Sequence, residues 1–229
     1  MGRIAIIPAR GGSKRIPKKN IIDFCGRPMI AWTIEAALQS EIFDQVLVST
    51  DSEEIAEIAI KWGASVPFLR AENCDDYVPV SDATISALKQ AEDYWDEEYD
   101  TVVQLMANCP LRDESNIIDA ISAFEVGGAD YQISCFRFGW MNPWWAVKLD
   151  ENFLPQRIFP EVGAKRSQDL DELFCPTGAI WIANRAPLLT AMTFYGPDHR
   201  FHPMEWDAAI DVDNYDDLKM AKSLAVNRS

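Results

Sequence analysis

Two short stretches near opposite ends of the chain carry charge in patterns suited to phosphate chemistry. The first, IAIIPARGGSKRIPKKN (4–20), sets Gly11 and Gly12 among Arg10, Lys14, Arg15, Lys18 and Lys19, with no acid in the run. A glycine pair permits unusual φ angles, so successive N–H groups can turn into one anion-binding concavity. Arg10 offers a planar fork to a phosphate, Lys14 and Lys19 act as movable point charges, and Asn20 can orient by hydrogen bonds. The second, AIDVD (209–213), puts Asp211 and Asp213 two residues apart. On a strand, residues i and i+2 share a face. Two carboxylates there form a hard oxygen site for Mg²⁺, which keeps waters and takes substrate phosphates. The plainer readings are a solvated basic loop or amphipathic targeting signal, and a solvated acidic turn before the last helix. The basic loop matches neither GxxxxGK[ST] nor GxGxxG.

The charge contrast narrows the ligand. Net charge is −15, yet Arg3, Arg10, Lys14, Arg15, Lys18 and Lys19, six of the 21 Lys and Arg, all precede the first acid, Asp23. An acidic chain lacks the positive footprint that a nucleic acid or an anionic membrane requires, whereas a local basic patch fits a small, highly charged anion. Cys25, Cys74, Cys109, Cys135 and Cys175 are odd in number and form no CxxC, so reduced thiols and a cytoplasmic setting are expected. His199 and His202 are too few for a three-His zinc site, and neither HExxH nor GxSxG occurs. The opening IAIIPA is too short for a signal peptide, and no apolar run reaches membrane-spanning length.

The elements that would position these groups alternate. Buried-strand patterns lie at 3–8, 45–50, 101–106, 131–136 and 178–183, with weaker ones at 65–69, near FHPME and at 208–212. Helices are expected over 28–40, from the Ser52 cap to 62, over 81–94, from Asp113 or Ser115 to the Gly127-Gly128 stop, from 185 and from 215. Such alternation implies an α/β fold with a Rossmann-like, mainly parallel sheet and helices on both faces. Ligands in such sheets bind at the carboxyl ends of strands, where the basic loop would sit. The whole chain, 1–229, reads as a single domain with an insertion at 137–177 of β-ribbon or irregular structure. FRFGWMNPWW (136–145) holds five aromatic residues in ten, the composition of a core or an oligomer interface.

At this point the residues resemble a family. Ala9, Arg10, Ser13, Lys19 and Asn20 fit A-R-x-x-S-x-x-x-x-x-K-N, which is similar to the signature of the CMP-sugar synthetases that activate sialic acids and related nine-carbon acid sugars. FDQVLVSTDSEEIAEIA (43–59), VPFLR (66–70), CPLR (109–112), PTGAIWI (176–182) and AIDVD resemble further blocks of that family, in the same order. RSQDL (166–170) is similar to the branch acting on pseudaminic acid.

The resemblance implies a cytidylyltransferase that joins CMP from CTP to the anomeric hydroxyl of a nonulosonic acid and releases pyrophosphate. Ala9, Arg10, Gly11, Gly12, Ser13, Lys14, Lys19 and Asn20 would hold the triphosphate, with Arg70 at the nucleotide. Arg10, Lys14, Lys19 and Asp211 would be catalytic, and Asp211 and Asp213 would hold Mg²⁺. It also implies a homodimer in which 137–177 forms a small lobe reaching the partner's site, with Lys165, Arg166 and Gln168 approaching an anionic sugar. Met106, Thr177 and the run Val78, Pro79, Val80 depart from the sialic acid branch at sugar-side positions. They suggest the same reaction on another acid sugar. Two alternatives remain at this level. One is a nucleotidyltransferase acting on an eight-carbon acid sugar or an alditol phosphate, and the other is a nucleotide binder without turnover.

Overall fold

The computed structural model of the chain describes residues 2–71, 78–163 and 165–226. Cys74 lies outside them. The first strand, β1 (Arg3–Pro8), is an apolar run because both its faces are covered; Ile4, Ala5, Ile6 and Ile7 have no exposed surface. Two short strands, β2 (Asp23–Phe24) and β3 (Arg27–Pro28), then pair with each other before helix α1 (Met29–Gln39). Strand β4 (Gln45–Ser49) leads to α2 (Glu53–Lys61), whose Ser52 cap accepts the Ile55 N–H and whose first turn holds Glu53 and Glu54. Helix α3 (Val80–Trp95), β5 (Thr101–Gln104), α4 (Glu114–Gly127) and β6 (Tyr131–Arg137) follow. Helix α4 starts in a capping box of Asp113 with Asn116 and stops at Gly128, whose φ of 64° a side chain would strain.

Residues 138–173 contain the hairpin of β7 (Val147–Leu149) and β8 (Pro155–Arg157) among single turns of helix. The chain returns through β9 (Phe174–Asn184), α5 (Arg185–Ala191), β10 (Arg200–Pro203) and α6 (Tyr215–Ala225), the last capped by Asn214. The six-stranded sheet runs β10-β6-β9-β5-β1-β4. Strand β1 is parallel to both β4 and β5, and β10 to β6, while β9 runs antiparallel to β5 and β6.

The expected strand at 65–69 is reduced to one bridge, Ser65 to Leu47, because Pro67 cannot donate and the chain turns outward. Arg70 then donates its backbone N–H to the Thr50 carbonyl at 2.7 Å. The expected strand at 208–212 is also not part of the sheet; the carbonyls of Ala209 and Val212 accept from the side chains of Thr177 and Asn108, and the Val212 N–H donates to the Asn108 carbonyl.

The topology decides where chemistry can happen. The chain leaves β1 for β4 on one side and later returns to β5 on the other, so the strand order switches at β1. A crevice opens at the carboxyl ends there. The loops at 9–20, 50–52 and 105–112 all begin at that edge. Because β1 is buried on both faces and carries the basic loop, Ile6→Ala is expected to destabilise the protein by about 2–5 kcal/mol. Urea unfolding at unchanged m-value measures this, and a loss below about 1 kcal/mol would contradict the central place given to β1.

Candidate active site

A cleft of about 560 Å³ lies at this edge, lined on one wall by Arg10, Gly12, Ser13, Lys14, Arg15, Lys19 and Asn20 and on the other by Asn108, Asp211 and Asp213. Arg70, Val78, Val80 and Met106 also line it. Residues 194 positions apart meet directly: Lys19 Nζ donates to Asp213 Oδ1 at 2.8 Å, and Arg15 reaches Asp213 Oδ2 at 2.8 Å. Asn20 Nδ2 donates to the Arg10 carbonyl at 2.9 Å, tying the end of the basic loop to its start.

The glycines act differently from expectation. Neither Gly11 nor Gly12 has a left-handed φ; Lys18 takes that conformation instead, at φ 53°. Gly11 is needed for room, since a Cβ there would stand 3.1 Å from Ser52 Cβ, and its N–H donates to Asp51 Oδ1 at 2.7 Å. Gly12 meets nothing within 4 Å and leaves its side of the cleft open. Ala9 is fully buried, with its N–H held by the Ser49 carbonyl, so it anchors the loop from behind.

The acidic wall is fixed without a sheet. Val212 is buried, and its N–H donates to the Asn108 carbonyl at 2.9 Å. Asn108 Nδ2 donates back to the Val212 carbonyl at 3.0 Å and also to Asp211 Oδ1. Upstream, the Thr177 hydroxyl donates to the Ala209 carbonyl at 2.8 Å. Downstream, the Asp217 carboxylate accepts the N–H groups of Asp213 and Asn214. Burial, and next the negative charge of Asp213, push the Asp211 carboxyl up to about 6. Burial would raise Asp213 as well, but the hydrogen bond and charge of Lys19, with Arg15, outweigh it and hold Asp213 below its ordinary value. Burial also keeps the Cys109 thiol, just under this wall, in its neutral form, so it is not a thiolate nucleophile.

The sugar-side residues are divided, with Val78, Val80 and Met106 in this cleft and the others outside it. Met106 lines it, packed so closely over Gly178 that a Cβ there would stand 2.8 Å from Met106 Cγ. Thr177 is buried with its hydroxyl engaged inside the fold, so it positions the acidic wall rather than facing a substrate. Lys165 and Arg166 are exposed on the 137–177 segment, Arg166 pairing with Asp169. Gln168 lines a second cleft of about 800 Å³ with Arg137, Phe138 and Trp206. Sequence reasoning missed Asn108 and Asp51. The available signal for Asn108 was a polar residue inside LMANCP, just past a buried strand.

Comparison with known proteins identifies the family. A family model described as cytidylyltransferase matches residues 4–195, and the chain belongs to that family. It is 36% identical over 225 residues to a pseudaminic acid cytidylyltransferase of Campylobacter jejuni, covering 98% of this chain and 96% of the relative. It is 33% identical to a CMP-N,N'-diacetyllegionaminic acid synthase of Legionella pneumophila, covering 96% and 95%. The solved structure of CMP:2-keto-3-deoxy-manno-octonic acid synthetase complexed with CTP superposes with a TM-score of 0.75 over the full length of both chains, at 17% identity, and so shares the fold. The protein is therefore a nucleotidyltransferase enzyme.

The raised Asp211 carboxyl has a consequence for stability. A carboxyl that binds its proton more tightly when folded loses stability as pH rises from its ordinary value to about 6. Above that range the ionised Asp211 is a cost, which an amide avoids. Without metal, Asp211→Asn is expected to melt a few degrees above the unsubstituted protein at about pH 7.5, with the gap closing near pH 4. Calorimetry across that range checks this, and a gap independent of pH would contradict it.

Proposed function

We propose that the protein transfers CMP from CTP to the anomeric hydroxyl of a nine-carbon acid sugar of the pseudaminic or legionaminic type. The observation that carries this reading is the pairing of a basic loop and an acidic wall across one cleft at the switch point. The nature of the sugar rests on the names of the relatives and on Met106, whose thioether presents an apolar wall where an amide would present hydrogen bonds.

The reaction is an in-line displacement at the α-phosphorus with pyrophosphate leaving. Such chemistry depends on positioning and charge neutralisation more than on covalent catalysis. Arg10, Ser13 and Lys14 hold the β- and γ-phosphates. Lys19 leaves Asp213 for the α-phosphate and stabilises the charge that grows there, and Asn20 keeps the loop in register. Arg70 orients the nucleotide.

Two carboxylates alone do not enclose a metal, and no group of three or more His, Cys, Asp or Glu arranged for one exists among the described residues. The donor set fits Mg²⁺, which takes few protein carboxylates and completes its shell with phosphate oxygens and water. Asp211 and Asp213 would hold it; when bound it supplies charge neutralisation and acidifies a coordinated hydroxyl. Asp213, held ionised by its cations, is ready to accept it.

A homodimer is part of the same reading. The inserted segment leaves Trp140 86% and Phe153 79% exposed, with Met141 and Leu154 also exposed beside the β7–β8 hairpin. A second copy would cover this surface and bring Lys165, Arg166 and Gln168 toward the neighbouring cleft. Among the described residues no helix is long and apolar enough to cross a membrane. A cytoplasmic setting is consistent with the unpaired Cys25, Cys109, Cys135 and Cys175.

Pyrophosphate release with CTP, Mg²⁺ and a panel of acid sugars tests the reaction. Release is expected with pseudaminic or legionaminic acid and not with sialic acid. Release only with an eight-carbon acid sugar, or none with any acceptor, would overturn the assignment. Lys19→Ala and Asp211→Ala are each expected to lower kcat by about 10²–10³; unchanged turnover would refute their roles. Sedimentation should show a dimer that Trp140→Glu with Phe153→Asp converts to a monomer of low activity, and a fully active monomer would contradict the dimer.

A further inference from the structure

The geometry points to Asn108 as a positioning residue that aims Asp211 at a divalent cation. The inference rests on the reading of Asp211 and Asp213 as cation ligands, and adds a buried residue in the wall behind them. Residues 108 and 212 exchange two hydrogen bonds, Val212 N–H to the Asn108 carbonyl at 2.9 Å and Asn108 Nδ2 to the Val212 carbonyl at 3.0 Å. This closes the acidic segment onto the end of the β5 loop, where no sheet pairing holds it.

A purely structural clamp would need only that exchange. The amide nitrogen carries a second hydrogen, and it goes to Asp211 Oδ1. One planar group therefore fixes the backbone on one side of Asp211 and the carboxylate itself. Asn108 is 2% exposed, so water does not compete for either bond. With Oδ1 held by the amide, rotation of the carboxylate is restricted and Oδ2 is the oxygen left for a cation. The other contacts of the segment act elsewhere: Thr177 on the Ala209 carbonyl and Asp217 on the N–H groups of Asp213 and Asn214. Partners that orient a ligating carboxylate are commonly worth about 10–100-fold in metal affinity. A hydroxyl cannot replace the amide fully, since it has one hydrogen for two acceptors.

The test is Mn²⁺ binding followed by electron paramagnetic resonance, with CTP present and no acceptor sugar. The unsubstituted protein, Asn108→Thr, Asn108→Ala and Asp211→Ala are compared. Asn108→Ala is expected to weaken Mn²⁺ binding about tenfold or more, with Asn108→Thr between it and the unsubstituted protein. CTP binding in chelator should stay within about twofold, which a general loss of structure would not allow. Should Asn108→Ala fail to fold, the Thr variant carries the comparison. Affinity equal to the unsubstituted protein in a folded variant at position 108 overturns the inference and leaves the cation reading standing. If the unsubstituted protein holds no more Mn²⁺ than CTP alone, the cation reading fails and takes this inference with it.

Discussion

The structure turns on one electrostatic constraint: a cationic loop and an anionic segment must face each other across a few ångströms without collapsing onto each other. Lys19 and Arg15 contact Asp213, so the two walls neutralise one another in part. Asp211 is withheld from that pairing and is bound instead by the amide of Asn108. The difference separates two neighbouring carboxylates, one held ionised by cations and one pushed up to about 6 by burial and its neighbour. In the proposed reaction a triphosphate would take the cations from Asp213 and leave both carboxylates to a divalent ion.

The fold exists to hold that arrangement. Strand β1 delivers the basic loop from between β4 and β5, where burial on both faces fixes its end. The acidic segment has no such support and borrows it from β5, β9 and the cap of α6 through Asn108, Thr177 and Asp217. One wall is thus fixed by strand pairing and the other mainly by side chains. The second is more sensitive to single substitutions for that reason.

Much of this was legible in the sequence. Strands buried on two sides read as apolar runs, and helix starts at Ser52 and Asp113 read from capping chemistry. The basic loop stood out because its composition departs from that of the acidic chain, and the acidic pair because of its spacing and its place in the resemblance. The strand assigned to 208–212 failed because AAIDV has a strand's composition while its partners are two distant side chains and loop carbonyls that no local pattern reveals. Glycines in the loop suggested left-handed angles, yet the need at Gly11 was clearance from Ser52. Thr177 looked like a substrate contact because the resemblance placed it there, and its hydroxyl turns inward. Asn108 gave no periodic or motif signal, since its role depends on a contact 103 residues away.

The most direct measurement is the anomalous diffraction of Mn²⁺ in a crystal grown with CTP. A peak beside Asp211 and Asp213 is expected, with the triphosphate against Arg10, Lys14 and Lys19 and the Lys19–Asp213 contact opened. A metal bound away from the acidic pair, or a nucleotide seated in the cleft beside Trp206 instead, would contradict it.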